Sequence, residues 1–119
     1  MDTNTHREFN MVLDCAYKIS GIPPGDLLTL KRTPAHVNVR HAVCWMLAKH
    51  LDWSYSEIAR HFRMDHTSII YAVLRVRTSA KEYKAGNTHH AQLVACCKSL
   101  KSVYVSALVK DDALGGEQP

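Results

Sequence analysis

Residues Tyr55 to Leu74, YSEIARHFRMDHTSIIYAVL, leave this chain few folds to choose from. Two short helices packed across a tight turn need apolar side chains where they bind each other, and a small residue where their backbones touch. Counted from Tyr55, the fourth, eighth, tenth, fifteenth and eighteenth positions are Ile58, Phe62, Met64, Ile69 and Ala72, and the fifth is Ala59. All six fit a helix-turn-helix. Ser54 reads as the N-cap of the first helix, with Glu57 three residues later completing a capping box. Arg63 and Met64 form the turn, and Asp65 caps a second helix reaching about Ser79. The motif therefore spans about 54–79. Its ninth position commonly needs a positive φ and prefers glycine. Here it is Arg63, which predicts a strained or differently built turn.

The rest of the chain reads as helices with short connections. Glu8 to Ser20 is amphipathic, with Phe9, Val12, Leu13, Ala16 and Ile19 on one face. GIPPGD ends it, because glycine and two prolines do not continue a helix. GDLLTL predicts a short helix capped by Asp26, and KRTPAH a basic loop. Val39 to Leu51 predicts an apolar central helix, and KAGNTHH a loop. Gln92 to Leu108 predicts a last amphipathic helix. Strand alternation and internal repeats are both missing. The expectation is an all-α fold: one compact helical domain over residues 1–119, about five to six helices containing the helix-turn-helix, with polar tails at 1–6 and 110–119.

With 46% hydrophobic residues the chain is globular rather than disordered. No apolar run approaches the roughly 20 residues that span a bilayer, and MDTNTHREFN has no apolar signal core. A cytoplasmic protein that does not enter membranes is expected. Cys15, Cys44, Cys96 and Cys97 lie in apolar helical patterns without CxxC spacing, and read as reduced core thiols. His89 and His90 beside Cys96 and Cys97 are the only metal-like cluster. Adjacent pairs are poor zinc geometry, so no metal and no cofactor are expected. Neither HExxH nor paired carboxylates suggests an enzyme.

The charge is uneven. Lys31 to Lys84 holds ten Lys/Arg against four Asp/Glu, a net +6, whereas the remainder has five against seven, a net −2. That basic segment surrounds the motif and suits a polyanion. Asp65, His66, Thr67 and Ser68 place four polar side chains at the start of the second helix, the end that enters a major groove. Asp65 suits cytosine N4, His66 suits purine edges, and Thr67 offers a hydroxyl and a methyl. Capping alone accounts for Asp65, Thr67 or Ser68, but it leaves His66 and the basic surroundings without a role. Duplex DNA is therefore the expected partner. Arg40, Lys49, Arg63, Arg75 and Arg77, with Ser54 at the first helix start, are the candidates for phosphate.

The stretch SEIARHFRMDHTSIIYAV resembles the C-terminal DNA-binding domain of the bacterial replication initiator DnaA. The match runs through Ser54, Glu57, Ile58, Ala59 and Phe62, then Asp65, His66, Thr67, Ser68 and Ile69. GDLLTLKR and RHAVCWMLAKHL resemble the family's short helix, basic loop and long helix, so the likeness covers roughly 8–85. It implies that Asp65, His66 and Thr67 read the major groove. It also implies that Arg40, or Lys31 and Arg32, stands nearest the family's minor-groove arginine. Arg63 and Met64 replace the family's usual Gly and Arg, and the minor-groove arginine itself falls on Asn38 or Val39. No GxxxxGK[ST] is present, so no nucleotide is expected, and the expectation is a free-standing reader without the initiator's ATPase domain. It would regulate transcription or replication, as a phage or prophage product would. The rival reading is a protein-interaction module on a helix-turn-helix scaffold. Val94, Leu100, Val103, Tyr104 and Leu108 would then supply a binding face or a homodimer contact.

Overall fold

The computed structural model describes residues 3–29 and 31–115. It contains α1 (Thr3–Ser20), α2 (Pro24–Leu28), α3 (Pro34–Trp45), α4 (Tyr55–Phe62), α5 (His66–Lys84) and α6 (Ala91–Gly115). Among the described residues there is no strand, and the all-α expectation holds. The last turn of α3 widens at Met46–His50 into i→i−5 bonding, with Leu51 N–H donating to Met46 O at 3.2 Å. Asp52 then turns the chain with φ 58°.

α3 lies at the centre, flanked by α5, α6 and α1. Its Val39, Ala42, Val43 and Cys44 meet Val12 and Leu13 of α1, Ile69 and Val73 of α5, and Leu100 of α6 in one core. An aromatic cluster ties α1 to the helix-turn-helix: Phe9 packs edge-on to Phe62 at 5.3 Å and tilted against His61 at 4.9 Å. Trp53 Nε1 donates to Glu8 Oε1 at 2.8 Å across the same joint.

Several boundaries differ from expectation. The 1–6 tail is helical from Thr3, since His6 stacks edge-on to His61 and holds the first turn by tertiary contact. The C-terminal tail is helical through Gly115, because nothing between Lys110 and Leu114 breaks a helix. Residues 1–2 and 116–119 of the two expected tails lie outside the described residues. α2 starts at Pro24, with Pro23 as its N-cap rather than Asp26. Proline suits the first helical positions because its missing N–H is not needed there. α3 begins five residues before Val39: Thr33 caps it, accepting from His36 N–H at 3.2 Å, and Pro34 follows. KRTPAH is therefore largely a helix start, not a loop. α5 continues past Ser79 to Lys84, where Gly86 at φ 100° ends it.

The membrane-length expectation is also corrected. Thr88–Lys110 is long and apolar enough, by length and composition, to cross a bilayer, with mean hydropathy 1.2. Here its Leu93, Cys97, Leu100 and Tyr104 face the protein core. All four cysteines are free. Burial pushes the Cys44 and Cys97 thiols up to about 12, which keeps both uncharged. His90 is engaged by Ser79, Nδ1 to Oγ at 3.0 Å.

Candidate nucleic-acid interface

α4 and α5 form the two arms of the motif. Ile58, Phe62, Ile69 and Ala72 are at most 1% exposed, and Ala59 is buried in the same core. Met64 is half-buried against the same core. Ser54 Oγ accepts from Glu57 N–H at 3.1 Å and starts α4. Arg63 takes the left-handed conformation, φ 57° and ψ 46°, at the position where glycine is preferred. Its neighbour Met64 N–H reaches back to Ala59 O at 2.9 Å and closes the helix end. The turn thus keeps the geometry a glycine would give, at a steric cost of about 1–2 kcal/mol.

Asp65 opens α5 with its backbone. Its carbonyl accepts from Ser68 N–H at 3.0 Å and from Ile69 N–H at 3.3 Å. Its carboxylate makes no capping bond. The side chain expected to cap is therefore not spent on the helix. Asp65, His66 and Thr67 are exposed and Ser68 is half-buried. The His66 ring lies 6.1 Å from the Tyr55 ring.

Two open depressions flank this tip. One, of roughly 580 Å³, is bounded by Arg32 of the α2–α3 loop, Arg63, Asp65, Ser68 and Tyr71. The other, of roughly 420 Å³, brings His66 beside Ser54, Tyr55 and Ala48. The fold thus gathers Asp65, His66, Ser68, Arg32, Arg63 and Ser54 around one end of α5, with Thr67 exposed at its first turn. Lys31 is on the same loop as Arg32, with Nζ 3.4 Å from the Asp26 carboxylate. His36 reaches that carboxylate too, and its hydrogen bond is the main cause holding Asp26 below the usual carboxylate range, with Lys31 adding to it. Lys49 is exposed on the widened turn, next to Ala48.

Three expected phosphate contacts are placed elsewhere. Arg40 is only 4% exposed, and its guanidinium donates to Leu27 O at 3.1 Å and Lys31 O at 2.8 Å. It holds the basic loop rather than presenting a charge. Arg75 turns to α3, donating to Asn38 Oδ1 at 2.9 Å and to His41 Nδ1 at 3.0 Å. Because Arg75 can only donate, His41 accepts on Nδ1 and carries its proton on Nε2. Burial, with Arg75 and Arg40 adding to it, lowers the His41 pKa to about 4. Arg77 is exposed in a separate depression with Trp45, Val76 and Lys81.

One residue was not anticipated. Tyr71 is 62% exposed and follows Thr67 by four residues, which puts both on one face of α5. Its ring sits edge-on to His41 at 5.9 Å. The signal was available as a large aromatic at an outward position between buried Ile69 and Ala72.

A buried two-helix scaffold with a polar, uncapped helix start and basic surroundings defines the class: a helix-turn-helix domain of the kind that binds DNA. The family profile described as the bacterial dnaA protein helix-turn-helix matches residues 10–76. The chain belongs to that family. Comparison with curated proteins and with solved structures returned no significant match.

Proposed function

We propose that the protein reads duplex DNA by sequence, with the start of α5 in the major groove and the α2–α3 loop against the adjacent backbone. Asp65, His66 and Thr67 are the base-reading residues in this account, with Ser68 beside them. Arg32, Lys31, Arg63 and Ser54 take phosphates or reach toward the minor groove, and Lys49 lies at the edge of the footprint. Arg40 acts on the same face through the loop it anchors. The observation that carries this reading is the free Asp65 carboxylate next to exposed His66 and Thr67: a helix start whose polar groups are not used by the helix. Family membership and the net +6 between Lys31 and Lys84 support it. The biological role that follows is a cytoplasmic regulator of transcription or replication that competes for initiator-type boxes. Selection from random duplexes followed by sequencing tests it. A short enriched box is expected, and its enrichment is lost in His66→Ala. A pool that stays random after repeated rounds contradicts base reading.

A further inference from the structure

We propose that two copies of this chain pair antiparallel through α6, about a twofold axis near Val103. Val94, Lys98, Lys101, Val105 and Leu108 follow one another at steps of four and three residues, the spacing of a helix–helix seam. The two halves of this stripe differ. The first half borders a depression of roughly 440 Å³ floored by Trp45, Val76, Val94 and Cys97. Its walls are cationic: Arg77, Lys81, Lys98 and Lys101. Both ion pairs found among the described residues belong to Asp26, so none of these four cations has an acidic partner. The second half is apolar and uncovered, with Val105 48%, Leu108 42% and Val109 63% exposed. The helix then runs through positions 111 and 112, both aspartate in the sequence.

Each half has what the other lacks. An apolar floor with basic walls suits an apolar stripe followed by acids. One copy cannot satisfy itself: at 1.5 Å per residue, positions 98 and 112 of one straight helix are about 21 Å apart. A second copy can. An antiparallel register centred on Val103 sets Leu108 of one protomer opposite Lys98 of its partner, and Val105 opposite Lys101. The lysine stems cover the valine and leucine while their ammonium heads reach outward toward positions 111 and 112. The contact is isologous, and so closes at two copies. Duplex phosphates would engage the cations but gain nothing from the apolar floor, and an acidic helix of another protein would leave Val105 and Leu108 uncovered. A twofold pair fits DNA with two half-sites, yet the inference stands independently of base reading.

Sedimentation equilibrium of the full chain across the micromolar to millimolar range tests it. A concentration-dependent dimer is expected. Val105→Lys with Leu108→Lys, which loses the apolar stripe and faces each partner lysine with a like charge, should raise the dimer dissociation constant at least about tenfold, the equivalent of 1.4 kcal/mol, with the helical circular dichroism unchanged. Lys98→Glu should weaken the dimer, and adding Asp112→Lys to it should recover part of the loss. A monomer throughout overturns the proposal, even where an acidic amphipathic peptide binds the groove. So does a dimer indifferent to Val105→Lys/Leu108→Lys, or one without charge-swap recovery. Duplex affinity of the same variants is measured separately, so failure of pairing and failure of DNA reading are told apart.

Discussion

Arg63 holds a left-handed backbone that most residues avoid, and its side chain lines the depression beside Asp65. The two roles oppose each other. Arg63→Gly relieves the steric cost but adds unfolded-chain entropy, so a net gain of about 0.5–1 kcal/mol is expected in chemical denaturation. The same change should weaken all duplexes about equally and reduce the slope of log K against log salt by about one. Unchanged stability with unchanged salt slope would mean that Arg63 does neither job. His66 and Thr67 are the cleaner probes of base reading, because both are exposed and carry little packing. Each alanine variant should lose about 1–3 kcal/mol on a selected duplex and much less on a scrambled one. Equal losses on both would make the polar run a phosphate clamp, and no loss on either would make it helix chemistry alone.

Among the elements, α3 is the hub, and its polar residues do structural work. Arg40 braces the end of α2 and the basic loop through two backbone carbonyls. Arg40→Met removes both bonds and leaves those acceptors without their donor, at an expected cost of about 2 kcal/mol. A melting temperature equal to the parent's would sink that role. His41 makes stability depend on pH. Its pKa in the fold is about 4, below the ordinary 6.5. Between those values the unfolded chain binds a proton that the fold refuses, so stability is full above pH 6.5 and falls as pH drops toward 4. A loss on the order of 2–3 kcal/mol across that window is expected, and His41→Asn should flatten it. A denaturation profile with the same slope in both proteins would remove His41 as the cause.

The same elements mark where sequence reasoning succeeds and stops. Ile58, Phe62, Ile69 and Ala72 were legible because core positions of a two-helix motif are fixed by spacing alone. The start of α3 was missed although Thr33 and Pro34 carry a capping signature, because the basic residues beside them resemble a loop. The inward turns of Arg40 and Arg75 were not legible at all. A long cationic side chain looks the same in sequence whether it meets water, phosphate or a carbonyl thirteen residues away. Tyr71 went unread although Ile69 and Ala72 already fix the buried face of α5, because an outward position of the motif has no required residue type and so carries no spacing signature of its own.

At the scale of the molecule, the basic segment from Lys31 to Lys84 contains the motif, while most of the acids lie outside that segment. Under the proposed function, such a distribution would draw the chain to any duplex, and the polar start of α5 would discriminate among duplexes. The two contributions separate in one experiment: titration of the intact chain against a selected duplex and a scrambled one of equal length, over a series of salt concentrations. The account predicts that both affinities fall steeply as salt rises, with a slope of about −0.9 per phosphate contacted. It also predicts that the selected duplex stays at least about a thousandfold tighter throughout. Equal affinity for the two duplexes at every salt concentration would contradict sequence reading, and a flat salt dependence would contradict DNA as the partner.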